Sequence, residues 1–297
     1  MNKNAFEFSV LMSVYKNDSS DFFCDALKSF TTNQTLKPKQ VVIVKDGPVD
    51  EKIDTIVNAI KIDNPSIEFD IVSNSENKGL AYSLNIGSRL INTDWIARMD
   101  SDDIAVPSRF ELQINYLKKN PSVSIVGGLT EEFNIVPKDM HRIREVPINH
   151  TEIIKMLKKR NPMNHPSVIY NKKAFDRIGG YSTDYGKMED YKLWVDFSIN
   201  NYVFANIDSV LVNMRVGSGF LSRRSNKEEI QDWKKIQRYI WTSKINTWFR
   251  MKKNIMIFSL FVRSPLWLKK IAYSKFLRRR SRVEKDGYTT YSENMEQ

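Results

Sequence analysis

The stretch Trp95-Ile96-Ala97-Arg98-Met99-Asp100-Ser101-Asp102-Asp103 runs from an apolar segment straight into three carboxylates within four residues. The apolar half reads as a buried strand. Packing does not account for the acidic half, because like charges repel and carboxylates are seldom buried unpaired. Two readings stand at this point. A divalent cation of the Mg2+ or Mn2+ type takes hard oxygen ligands and bridges one or two carboxylates to a phosphate. Asp and Ser equally suit a solvated acidic turn or a helix cap.

Upstream, Phe8-Ser9-Val10-Leu11-Met12-Ser13-Val14 is a nearly continuous apolar run, the pattern of a strand covered on both faces. A polar turn over Lys16 to Ser20 precedes a helix reaching about Thr32, with Phe22, Phe23, Ala26, Leu27 and Phe30 at helical spacing. Val41 to Val44 gives a second buried strand ending at Lys45-Asp46-Gly47-Pro48. Then come a helix (Asp50 to Ile62), a strand (Ile67 to Val72), the loop Asn74 to Gly79 and a helix (Leu80 to Ile91) that leads into the opening stretch. Buried strands alternating with amphipathic helices imply βαβ units, hence an α/β fold with a mostly parallel sheet. Ligands bind beyond the carboxyl ends of such strands. Asp46, Asp100 and the Ser13-Val14-Tyr15 tip all fall there.

Downstream, a helix is expected from Pro107 to about Lys119 and a buried strand from Val123 to Gly128. Leu129 to Ile178 is less regular, with a short helix near Thr151 to Lys159 and a strand at Val168-Ile169-Tyr170. Gly179-Gly180-Tyr181 marks a turn, a helix opens at Met188-Glu189-Asp190 and runs through Ile199, and Phe204 to Met214 reads as two short strands.

Several residues in this frame carry chemistry, each beside a plainer role. Asp46 offers a carboxylate to a base or ribose, or is the turn residue of Asp-Gly-Pro. Asn77-Lys78-Gly79 is a loop that lets backbone approach a ligand, or a helix start. Glu189 and Asp190 supply a general base, or cap a helix whose N-terminus favours carboxylates. His165 is a metal ligand or phosphate contact, or a structural histidine. Arg215, with Arg223 and Arg224, forms a mobile clamp on a diphosphate, or a solvated basic loop. Trp95 and Trp194 lie in apolar patterns and belong to the core.

The 297 residues suffice for one large domain or a domain with an appendage, and 41% hydrophobic with 27% charged residues describes a globular chain. Cys24 stands alone, which excludes an internal disulfide and fits a reducing compartment. Met1 to Tyr15 gives no expectation of a signal peptide. Charge is uneven. Trp233 to Arg282 holds 15 Lys or Arg and no Asp or Glu, leaving 31 basic against 35 acidic residues elsewhere. The main domain is therefore no general binder of polyanions, and the tail is the special part.

Taken together, Ser9 to Tyr15, Val44-Lys45-Asp46-Gly47, Asn77-Lys78-Gly79-Leu80-Ala81-Tyr82-Ser83-Leu84-Asn85-Ile86-Gly87, Arg98 to Asp103, and Gly179-Gly180-Tyr181 followed by Met188-Glu189-Asp190-Tyr191 resemble the family 2 glycosyltransferases of bacterial polysaccharide assembly. The likeness spans about Phe8 to Arg224 and is greatest to exopolysaccharide and O-antigen transferases related to amylovoran enzymes. It implies a Rossmann-like GT-A fold over residues 1–225 and an inverting transfer of a hexose, galactose foremost, from a UDP-sugar to an undecaprenyl-diphosphate-linked saccharide. A glucosyl or N-acetylglucosaminyl transferase, or a non-catalytic nucleotide-sugar-binding scaffold, is the alternative.

The resemblance also implies roles. Asp190 is the base with Glu189 beside it. The nucleotide-sugar contacts are Ser13, Tyr15, Asp46, Asn77, Lys78, Gly79, Arg98, Asp100 and Arg215, with Asp46 on uracil and Tyr15 along the nucleoside. Asp100, Asp102 and His165 are the candidate ligands of Mn2+ or Mg2+. The Gln-x-x-Arg-Trp motif and multiple membrane helices of processive synthases are absent from the sequence, which implies one sugar per encounter.

Residues 226–297 form the basic tail, in which Trp233, Trp241, Trp248, Phe249, Phe258, Phe261, Trp267, Tyr273 and Phe276 interleave with Lys and Arg. Such a segment suits nucleic acid or an anionic surface. The high apolar content favours interfacial helices on the inner face of a bacterial plasma membrane, with no nucleic acid partner and a cytoplasmic location. A helical bundle packed on the domain is the other reading.

Overall fold

The computed structural model describes residues 6–217, 227–265, 267–269 and 279–280. Four strands form the parallel half of one sheet: β1 (Phe8–Tyr15), β2 (Gln40–Asp46), β3 (Glu68–Ser73) and β4 (Trp95–Arg98), in spatial order β3-β2-β1-β4. Alternate residues explain why these strands are apolar throughout. Val10, Met12 and Val14 of β1 and Val41 and Ile43 of β2 enter one core; Leu11, Val42 and Val44 enter another on the opposite face. The first core includes Phe23, Leu27 and Phe30 of α1 (Ser20–Phe30), Val57 of α2 (Lys52–Asp63) and Phe110 of α4 (Arg109–Lys119). The second includes Leu84 of α3 (Leu80–Ser88), Leu157 of α5 (His150–Leu157), Phe175 of α6 (Lys172–Arg177) and Trp194 of α7 (Glu189–Ile199).

Beyond β4 the sheet turns antiparallel. The short β8 (Ile169–Asn171) lies between β4 and the first half of β6 (Val123–Phe133), and β7 (Arg142–Arg144) pairs with the second half of β6 and with β10 (Arg279–Arg280). Strand β9 (Val203–Arg215) runs parallel to β6 and pairs antiparallel with β5 (Ile104–Ala105). Two expectations are corrected here. Phe204 to Met214 is one strand rather than two: exposed Asp208 imitates a turn, but the chain passes through it by shifting register against β6. Strand β6 extends past Gly128 to Phe133 because Glu131 and Glu132, which read as polar, are buried.

Two helices of the tail are described, α8 (Lys227–Thr242) and α9 (Trp248–Arg263). Helix α8 is no detached appendage. Trp233, Ile236 and Ile240 join the second core, Trp233 lies 6.0 Å from the Tyr191 ring, and Tyr239 Oη donates to Asp196 of α7 at 2.7 Å. Phe258 of α9 stacks on Trp233 at 4.6 Å. Arg223 and Arg224 of the expected clamp, and Tyr273 and Phe276 of the tail, lie outside the described residues.

Candidate active site

The tips of β1 and β2 form the first part of the site. Asp46 ends β2 and is buried, and its carboxylate organises the loop before α3. Oδ1 accepts from Asn74 Nδ2 at 2.9 Å and the Lys78 N–H at 2.8 Å, and Oδ2 accepts from the Gly79 N–H at 2.9 Å. A carboxylate has about four acceptor positions. Asp46 thus spends most of its capacity on folding the Asn77-Lys78-Gly79 loop, and one position on Oδ2 is left over. Gly47 has φ +85°, and a Cβ there would lie 2.7 Å from the Asn77 backbone nitrogen. Gly47→Ala is therefore expected to cost about 1–3 kcal/mol through a left-handed backbone and a backbone collision. Urea unfolding checks that value. Half-buried Ser13 and exposed Tyr15 complete this edge, and the Tyr15 N–H is held by Asp18 Oδ2 at 3.1 Å.

The acidic turn after β4 is the second part. Arg98, almost wholly buried, forms an ion pair with Asp100. Beneath it, fully buried Arg109 donates to the Arg98 carbonyl at 2.8 Å, and burial followed by the Arg98 charge lowers its pKa to about 9. Ser101 donates to Asp18 Oδ2 at 2.7 Å. Burial first, then the Asp100 and Asp18 charges, push Asp102 up to about 6. Burial, Asp102 and Asp100 hold Asp103 well above the usual carboxylate range, and burial raises Asp18. Asp103 is structural: its Oδ1 accepts the Arg215 N–H at 2.8 Å and ties β9 to the turn.

Arg215 differs from the expected mobile clamp. Its Nε donates to the Asp102 carbonyl at 3.1 Å, its guanidinium lies 3.8 Å from the Phe22 ring centroid and 4.5 Å from that of Phe133, and its side chain is only 7% exposed. It staples the turn from behind.

Glu189 and Asp190, at the start of α7, are the third part. Asp190 Oδ2 accepts from Asn161 Nδ2 at 2.6 Å and Oδ1 from the Tyr191 N–H at 2.6 Å, so the carboxylate is fixed from two sides. Glu189 is buried; burial first and the Asp190 charge second raise its pKa to about 8 from 4.5. Glu189 is thereby held protonated at neutral pH. The folded state binds this proton more tightly than the unfolded chain does. Stability from Glu189 is thus complete below 4.5 and is lost as pH climbs through about 8. Glu189→Gln removes the dependence. Its melting temperature is expected to match the unmodified protein at the acid end and exceed it increasingly toward the alkaline end, as scanning calorimetry would show.

The second and third parts meet in one cleft of about 580 Å³, lined by Arg98, Asp100, Asn161, His165, Glu189 and Asp190, with Phe258 and Phe261 of α9 also on its wall. His165 is a wall residue. Its Nε2 shares a hydrogen bond with Tyr181 Oη at 2.7 Å, and burial followed by the Arg98 charge keeps the ring neutral. Nε2 is thus engaged within the wall of the cleft, and of the roles weighed for His165 the structural one is what these contacts show.

Residues 9–179 match the model of glycosyl transferase family 2. The chain belongs to that family. An Escherichia coli UDP-Gal:alpha-D-GlcNAc-diphosphoundecaprenol beta-1,3-galactosyltransferase is 34% identical over 278 residues, covering 92% of this chain and 97% of the relative. An amylovoran biosynthesis glycosyltransferase of Erwinia amylovora is 33% identical over 228 residues, 75% of this chain and 83% of its own. A mannosyltransferase of Pyrobaculum calidifontis, solved with GDP-Man and Mn2+, shares the fold with a TM-score of 0.59 over 90% of this chain and 73% of that one, at 16% identity. The transferase thus has the GT-A arrangement.

Among the described residues no three His, Cys, Asp or Glu side chains converge to cage a cation. The donor chemistry of the turn still fits one. Asp100 and Asp102 are hard oxygen donors whose charges repel, and Mg2+ or Mn2+ commonly takes one or two carboxylates and completes its shell from substrate phosphate and water. Sequence reasoning missed Asp18, Arg109 and Asn161. Asp18 lies in a stretch that read only as a polar turn, and nothing in the sequence linked Asn161 to a residue 29 positions later.

Proposed function

We propose that this transferase moves one hexose, galactose foremost, from a UDP-sugar to a saccharide carried on undecaprenyl diphosphate, with inversion at C1. The reading rests on one observation: Asp100 of the acidic turn and Asp190 of α7 line the same cleft. The 34% identity to a galactosyltransferase that uses UDP-Gal and a diphosphoundecaprenol-linked GlcNAc supports the substrate classes. The names of both relatives support a place in O-antigen or exopolysaccharide synthesis.

The residues divide the work. The Ser13–Tyr15 tip and the Asn77-Lys78-Gly79 loop, held by Asp46, form the nucleoside edge. Arg98, paired with Asp100, puts positive charge at the cleft floor. Asp190, fixed by Asn161 and the Tyr191 N–H, takes the proton from the acceptor hydroxyl as that oxygen bonds to C1 and the C1–oxygen bond to UDP breaks. Glu189, protonated, adds no second negative charge next to the base. A divalent cation held by Asp100 and Asp102 would neutralise charge on the departing diphosphate. A lipid-linked acceptor places the enzyme at the inner face of the plasma membrane. Among the described residues no helix is long and apolar enough to cross a membrane.

A UDP-release assay tests this. A panel of UDP-sugars is supplied with Mn2+, with and without a lipid-diphosphate-linked GlcNAc acceptor. Release with one donor that requires the acceptor is the expected result. Release at the same rate without acceptor would make the protein a nucleotide-sugar hydrolase, and silence with every donor would favour a binding scaffold.

A further inference from the structure

Helix α9 is apolar on two opposite faces, and only one is covered. Met251 and Val262 are buried, and Phe258 packs on Trp233 and reaches the catalytic cleft. On the other side Phe249 is 79% exposed, Met256 56% and Leu260 60%. At about 100° per residue these three fall within roughly 40° of one another, opposite Phe258. Exposed Lys252, Lys253 and Arg263 flank the stripe, and the helix carries no acidic residue. Exposed Trp267 and Leu268 continue the apolar surface just beyond its end. A soluble domain rarely leaves such a contiguous patch uncovered without a partner.

We propose that this outer face of α9 is a docking surface for an anionic lipid bilayer, lying in the headgroup region with Phe249, Met256 and Leu260 inserted and the lysines and arginine on lipid phosphates. Charge complementarity selects the occupant. An apolar stripe flanked only by cations is the pattern of an interfacial helix, and each basic residue adds attraction to a negative leaflet. The proposal deepens the lipid-linked acceptor reading and rests on it. Helix α9 is shared: its inner face, through Phe258 and Phe261, walls the cleft. Docking the outer face would hold the cleft within one helix diameter of the surface where the acceptor's diphosphate emerges.

The test is co-flotation of the full chain with phosphatidylglycerol-rich vesicles and with phosphatidylcholine vesicles, comparing the unmodified protein with Met256→Glu/Leu260→Glu and with Lys252→Glu/Lys253→Glu. All four positions are exposed, so the fold should persist, and circular dichroism checks that it does. The expected result is binding to the anionic vesicles that weakens at least tenfold in either double variant and falls with added salt. Turnover of a water-soluble short-chain acceptor should be unchanged in both variants. Equal flotation of all three proteins would overturn the proposal. So would a concentration-dependent dimer that the Glu variants dissolve and vesicles do not affect, because the face would then belong to a second copy. Flotation without transfer to any acceptor would leave the docking surface standing and remove the transferase reading; transfer to soluble acceptor without flotation would do the reverse.

Discussion

Asp190→Asn is expected to lower kcat about 10³-fold, the usual scale for removing a general base, while UDP affinity changes by less than about twofold. The geometry motivates both halves. The carboxylate lines the cleft and is fixed by donors at 2.6 Å on each oxygen, from Asn161 and the Tyr191 N–H. Asn keeps the shape, so the nucleoside edge at Asp46 and the 74–79 loop should not register the change. What it removes is the site that accepts the hydroxyl proton. Steady-state kinetics beside calorimetric titration of UDP separates the two effects. A kcat within a few fold of the unmodified enzyme would move the base elsewhere, with Glu189 the first place to look.

Asp102→Ala is expected to cost about 10²–10³-fold in kcat/KM and to abolish any strengthening of UDP binding by Mn2+. The second effect is the diagnostic one, because it is read without turnover. The substitution should not damage the fold. Burial, with repulsion from Asp100 and Asp18, pushes Asp102 up to about 6, and its charge in turn raises Asp103, so its removal relieves charge crowding. A melting temperature equal to or above that of the unmodified protein, combined with lost Mn2+ dependence, would assign Asp102 to the cation. A variant that still binds UDP more tightly with Mn2+ would exclude it.

The parallel half of the fold was legible because β1 and β2 are apolar on both faces, and doubly covered strands leave that imprint on the sequence. Asp46, Asp100 and the Ser13–Tyr15 tip were correctly placed at strand ends for the same reason. The antiparallel half was harder to read. Strand β9 passes through an exposed Asp208 and shifts register against β6, so its sequence resembles two strands and a turn. Glu131 and Glu132 are buried in β6, against the rule that charged pairs mark loops.

Roles set by three-dimensional contacts were the least visible. Arg215 read as a clamp or a solvated basic residue and is a staple over Phe22 and Phe133; His165 read as a metal ligand, a phosphate contact or a structural histidine and is hydrogen-bonded to Tyr181. Neither partner lies near it in sequence. The tail's aromatic content was evident, but its division into a buried helix, α8, and a helix exposed on one side, α9, depends on what each face meets.

The most direct test of inverting transfer in this cleft is the configuration of the new bond. The product formed from an α-linked UDP-sugar is isolated and its anomeric proton coupling measured by NMR. A β-configured linkage, lost together with turnover in Asp190→Asn, is the result expected of a single displacement with Asp190 as base. An α-configured linkage would mean retention, and would contradict the role given to Asp190.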